Sequence, residues 1–339
     1  MPARKTRTRS LVAVVAGATR GAGRGIARAL GEAGGVVYCT GRSVRGSPSP
    51  YNLPETIEET AEHVTALGGT GIAVQLDHTD EAAVQALFAR VASEQGRLDV
   101  LADSVAGEDP ILQSWTSIWD TDLANAMAGL RQGLLSRVIT AKHAAAQMRK
   151  KKRGLIIEVT EADFPFYGGN VIHDLVKTGI KGLAFRLAEE LRTSKVAAVS
   201  MTPGFLRSES MLRYFGVSED NWRDGGKKDP HFLHSESPLL IGRAIVALAK
   251  DPDVMRWSGH LTSSWEVARE YRLTDADGTS RDWGLHWKDV VMDEMPAIKA
   301  GTIRQIEWLE RVSGRLRWYA EGRGSQVAGR GSRGTASKA

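Results

Sequence analysis

Two short stretches of this 339-residue chain carry residue types at spacings that can do chemistry. The first, AGATRGAGRGIA at 16–27, sets Gly17, Gly21 and Gly23 in a G-x-x-x-G-x-G turn directly after an apolar run. Glycines there let the backbone approach a pyrophosphate, whose charge settles on the N-terminus of the helix that follows. Thr19 and Arg20 lie inside the same turn. The second stretch, VIHDLVKTGIKG at 171–182, sets His173 four residues before Lys177. On a helix that spacing brings both side chains to one face. Histidine is the commonest general acid, and its ordinary pKa of about 6.5 lies close to neutrality.

Which dinucleotide the turn would take depends on the residues that end the next apolar run. A carboxylate about 20 residues past the glycines would grip the ribose hydroxyls of NAD. The sequence there, VVYCTGRS at 36–43, has none and offers Arg42 instead. Arg42 together with Arg20 suits a 2′-phosphate held bidentately, so NADP(H) is the expected cofactor. The alternative is that both arginines only face solvent. Asp77, in VQLDHTD at 74–80, can accept a hydrogen bond from an adenine amino group, while Asp80 reads as the cap of the next helix.

The elements that must position these residues are legible as alternating apolar runs and amphipathic stretches. Strands are predicted at 11–16, 36–40, 71–76, 98–102, 154–159, 196–201 and 259–263. Helices are predicted near 22–33, 55–67, 80–95, 117–150, 171–194 and 238–250. Runs such as LVAVVA and GLIIEV are apolar nearly throughout, as in a parallel sheet covered on both faces. The prediction is α/β: a doubly wound parallel sheet of about seven strands in one domain, 11–265. The polar, glycine-bearing segment 204–237 follows the sixth strand and is expected to be a lid. An extension, 266–321, carries Ile303, Ile306, Leu309, Val312 and Leu316 on one stripe, expected to pack on its own domain or across a dimer.

Composition narrows the function classes. The net charge of +5 sits in the ends. Residues 1–10 form a basic arm with four cations and no acid, and the Arg/Gly-rich 322–339, expected to be disordered, carries four more. Without those eight the body is about −3, so no nucleic-acid footprint is expected on it. The single cysteine, Cys39, excludes an internal disulfide and fits a reducing cytoplasm. No run is long enough for a transmembrane segment. His231 and His234 have an i, i+3 spacing but no third ligand nearby, so no metal is expected.

Taken together, the glycine turn, LDVL at 98–101, H-x-x-x-K at 173–177 and TPGFLRSE at 202–209 resemble the short-chain dehydrogenase/reductases over residues 10–275. The stretch 258–278 is most similar to the subgroup typified by dehydrogenase/reductase family member 1. The resemblance implies a Rossmann-like domain, NADP(H), and a homodimer or homotetramer built on the helices at 117–150 and 171–194. It implies that Pro203 and Gly204 border the cofactor. It also implies a catalytic set in which Lys177 grips the nicotinamide ribose and tunes a hydroxyl acid.

That set is altered here. His173 stands where the family has tyrosine, Thr160 or Glu161 where it has serine, and Asn125 is the nearest asparagine when GLR at 129–131 is aligned, which puts Met127 at the family's position. Three readings of His173 follow: it donates the proton, it lines an inert pocket, or Glu161, Asp163 or Tyr167 has taken over. The implied activity is hydride transfer between nicotinamide and a small carbonyl or alcohol. The alternative is a catalytically inert nucleotide-binding or regulatory protein. RNA binding through the Arg/Gly tail is a third class, resting on composition alone.

Overall fold

The computed structural model describes residues 10–47, 53–106, 116–164 and 170–321. The basic arm up to residue 9, the tail 322–339 and Tyr167 lie outside the described residues. Seven strands form one sheet: β1 Val12–Ala16, β2 Val36–Gly41, β3 Thr70–Gln75, β4 Val100–Asp103, β5 Gly154–Val159, β6 Val196–Thr202 and β7 Leu261–Ser263. All pair in parallel in the order β3-β2-β1-β4-β5-β6-β7. Every predicted strand is present. The reason is visible in burial: all five residues of β1 and all six of β5 are buried, because helices cover both faces.

On one face lie α1 Gly21–Glu32, α2 Ile57–Ala66 and α8 Pro238–Lys250, with Ile26, Leu30, Val64 and Ile245 in the shared core. On the other lie α3 Glu81–Gln95, α5 Ser136–Lys151 and α6 Val171–Leu191, contributing Val84, Phe88, Met148 and Leu191. Capping fixes where the helices begin. Thr56, Asp80, Asn170 and Ser237 each accept a backbone N–H of the first turn. The strand order reverses between β1 and β4, which opens a crevice at their carboxyl ends.

The helical pattern at 117–150 is not one helix. It divides into a 3-10 turn Ile118–Asp120, α4 Leu123–Leu130, a π segment Arg131–Leu135 and then α5. A π turn inserts one residue and changes which side chains face inward.

The segment after β6 is well packed. It contains α7 Glu209–Phe215 and 3-10 turns at Trp222–Lys227 and Pro230–His234. Phe215 and Phe232 stack with centroids 4.0 Å apart. Fully buried Arg207 holds Glu219 of the same segment at 2.9 Å and ties the segment to buried Asp275, beyond β7, at 3.3 Å.

Beyond β7 come α9 Ser264–Tyr271, α10 Trp283–His286, a π segment Trp287–Val291 and a last helix, Pro296–Glu321. His231 joins the two regions: its Nδ1 lies 2.9 Å from His286 Nε2, and its Nε2 lies 2.9 Å from Glu294. His234 stacks on His286 at 3.6 Å. Among the described residues no group of three metal-type ligands converges. On the stripe of the last helix Ile303, Ile306 and Val312 are exposed, so of the two expected arrangements these three do not take the one against their own domain. Among the described residues no helix is long and apolar enough to cross a membrane.

Candidate functional site

The crevice at the strand switch is a cleft of about 600 Å³. Gly17, Thr19, Arg20 and Gly21 line one part of it, Arg42 and Asp77 another, and Thr160, Lys177 and Pro203 a third. Two glycines make the turn possible. Gly17 has φ +73°, and a Cβ there would come within 2.6 Å of Ser104 O. Gly23 lies underneath, where a Cβ would meet Gly17 O at 2.1 Å. The turn therefore presents bare backbone to the cleft at the start of α1. The single acid–base contact between the predicted phosphate and adenine residues is Arg42 Nη1 to Asp77 Oδ2, 3.7 Å, with both side chains partly exposed.

Two observations test whether these residues fit an anionic group. Arg20 gives Nε to Glu55 at 3.3 Å but keeps a buried Nη2 without a hydrogen-bond partner. The Gly21 N–H, at the positive end of α1, donates to a carboxylate: Glu209 Oε2, 2.7 Å away on the segment after β6. A carboxylate already stands where the helix start favours negative charge. The donors fit a pyrophosphate, and Glu209 competes for one of them. Glu209→Gln is expected to tighten NADPH binding about tenfold, read by calorimetric titration, since hydrogen bonds to charged groups contribute about 1.5–3 kcal/mol. Unchanged or weaker binding would show that Glu209 does not oppose the cofactor.

Behind the cleft lies a buried charge cluster absent from the sequence reading. Arg137, also a cleft residue, contacts Glu158 at 3.1 Å and Asp103 at 3.6 Å, all at most 2% exposed. Burial and the neighbouring Asp103 push Glu158 up from 4.5 to about 8, against the pull of Arg137. Because the folded pKa is raised, the unfolded chain releases this proton first. Stability must then fall as pH rises from about 4.5 to about 8. Each such proton contributes a slope of about 1.4 kcal/mol per pH unit. In denaturant titrations from pH 5 to 8, Glu158→Gln should reduce that decline, leaving the part due to Glu236, which burial also raises to about 8. An identical slope in parent and variant would remove Glu158 from the cluster's proton balance.

A second cavity, about 500 Å³, borders the first at Pro203. Its walls include Phe164, Phe205, Trp265, Trp283 and Trp287. Glu161 and Asp163 also line it, on either side of Ala162, whose φ of +58° is a left-handed conformation that costs a non-glycine residue about 1–2 kcal/mol. Burial, then nearby Glu266, raises the Asp163 pKa.

The residues of α6 form a column. His173, Lys177 and Lys181 follow at i, i+4 and i+8. Thr160 Oγ1 lies 3.4 Å from Lys177 O, which ties the end of β5 to the helix. His173 is on the wall of neither cavity; its Nε2 lies 3.4 Å from Glu161 Oε2. Lys181, which the sequence reading passed over, bonds Phe164 O at 3.1 Å, and burial pushes it down to about 8 against the opposing pull of Glu161 and Asp163. Its spacing from Lys177 was the available signal.

Neither residue expected around the family's asparagine position lies in the cleft. Asn125 is exposed on α4, and Met127 is 64% exposed, so neither reaches the cleft. Gln132, inside the π segment, lines it instead. Gly204 borders the second cavity rather than the cleft, with its Cβ position 2.7 Å from Trp283.

A family model described as short chain dehydrogenase matches residues 11–215. The chain is 37% identical over 279 residues to dehydrogenase/reductase SDR family member 1 of Mus musculus, covering 79% of this chain and 83% of that protein. It is 35% identical to the Homo sapiens protein of the same name over the same extent. Among solved structures, a short chain dehydrogenase from Mycobacterium thermoresistibile superposes with a TM-score of 0.66 at 20% identity, covering 79% of this chain and 89% of that one.

Proposed function

This chain belongs to the short-chain dehydrogenase/reductase family, and from that premise we propose that it is an NADP(H)-dependent oxidoreductase moving hydride between nicotinamide and a carbonyl or alcohol substrate. The observation that carries this reading is the position of Lys177 and Thr160 in the same cleft as the glycine turn, beside a second cavity large enough for a small molecule. The cofactor, when bound, supplies the hydride. Gly21 holds its pyrophosphate, Arg42 and Arg20 its 2′-phosphate, and Asp77 its adenine. Lys177 grips the ribose, and Thr160 orients the group to be reduced. Segment 204–237 serves as a lid, since Glu209 must leave Gly21 before a pyrophosphate can take its place. The apolar side chains exposed along 123–138 fit a homodimer or homotetramer, and the single cysteine fits the cytoplasm.

One observation favours a second reading, an inert nucleotide-binding protein: His173 lines neither cavity, its Nε2 lying 3.4 Å from Glu161. Titration with NADPH and NADH, followed by a carbonyl panel at substrate quantities of enzyme, separates the two. Hydride transfer supports the first reading, and tight cofactor binding without transfer supports the second. In the same titration Arg42→Ala should weaken NADPH about tenfold and leave NADH nearly unchanged. Equal loss for both would remove Arg42 from cofactor choice.

A further inference from the structure

We propose that the second cavity receives a planar aromatic cation, and that the hydride acceptor is the carbon of a C=N⁺ iminium rather than of a neutral C=O. This rests on the hydride-transfer reading above and narrows what accepts the hydride.

The walls carry the first part of the argument. Five aromatic side chains border this one cavity, and Phe205–Trp283 and Phe164–Trp287 lie 5.5 and 6.3 Å apart, centroid to centroid. Aromatic faces attract cations, more so where water is excluded. Glu161 and Asp163 join that wall from the left-handed turn at Ala162, directly after Thr160. The cavity also has two basic residues. Arg269 is engaged by Asp282 at 2.6 Å, and Lys288 is exposed to solvent. Lys181 is a cation already set against Glu161 and Asp163, and burial raises the Asp163 pKa in spite of its pull.

Chemistry carries the second part. Hydride delivered to a neutral carbonyl leaves an alkoxide, which must be given a proton, and His173 stands where the family has its hydroxyl acid. An iminium carbon takes H⁻, its C=N π pair moves to nitrogen, and the product is a neutral amine. The acceptor gains two electrons, the reduced nicotinamide loses two, and no proton donor takes part. His173 can then stand beside Glu161 at 3.4 Å as a positioning residue, away from both cavity walls.

The test compares two bicyclic probes of similar outline, N-methyl dihydroisoquinolinium and tetralone, on the full chain. Quenching of tryptophan fluorescence reports binding through Trp265, Trp283 and Trp287, independently of turnover. The cation should bind about tenfold more tightly than the ketone. Glu161→Gln, half exposed and so tolerant of change, and Asp163→Asn should each erase most of that preference while leaving tetralone unaffected. Equal binding of the two probes, or a preference that survives both variants, overturns the proposal. NADPH consumption with the cation but not with tetralone completes it. Carboxylate-dependent binding of the cation without any consumption would keep the cation site and overturn hydride transfer itself.

Discussion

Lys177→Ala should lower turnover by about 100- to 10,000-fold, the scale associated with a positioned acid–base group, and should also weaken cofactor binding. Both losses are expected because Lys177 lines the same cleft as the glycine turn and lies next to Thr160. His173→Ala should leave cofactor binding unchanged, since His173 borders neither cavity. Steady-state rates and NADPH titrations on the two variants check this. His173→Tyr adds a further distinction. If it creates carbonyl reduction in a parent that lacks it, the natural chain has given up carbonyl chemistry. Retained NADPH affinity in Lys177→Ala would mean that Lys177 does not hold the ribose.

Gly23→Ala should reduce cofactor affinity by about 100-fold or more. The added Cβ would lie 2.1 Å from Gly17 O, a backbone atom that cannot give way without moving the whole turn. Overpacking of this kind typically costs about 1–3 kcal/mol of stability. Affinity should fall further than the shift in thermal midpoint explains, because Gly17 and Gly21 move out of register with the ligand. Calorimetric titration with NADPH beside thermal unfolding separates the two effects. Parent-like affinity would place the cofactor outside this cleft.

The strands were legible because a parallel sheet buried on both faces demands nearly uninterrupted apolar runs, and VAVVA and GLIIEV are such runs. The glycine turn was legible because backbone approach requires glycine at fixed offsets. Gln132 was not. A π segment shifts the inward face of a helix by one residue, and no periodicity in 117–150 marks where that insertion falls. Arg137, Asp103 and Glu158 were also hidden. Each reads alone as an ordinary charged residue, and their burial follows from β4, β5 and α5 meeting at one point. The aromatic cavity has the same origin. Two of its tryptophans, Trp283 and Trp287, come from a stretch read as a mere extension, and packing brings them to Trp265, Phe164 and Phe205.

That last feature has an evolutionary side. The family model covers residues 11–215, which hold the glycine turn, Lys177 and the Glu161–Asp163 turn. Trp265, Trp283 and Trp287 lie beyond it, held in place by Arg207–Asp275 and by His231 against His286. Selection on the last quarter of the chain can therefore remodel what enters the cavity while the nucleotide half stays untouched. Exchanging that quarter between relatives would transplant substrate preference as a module, provided the residues that grip it, Arg207 and His231, travel with it.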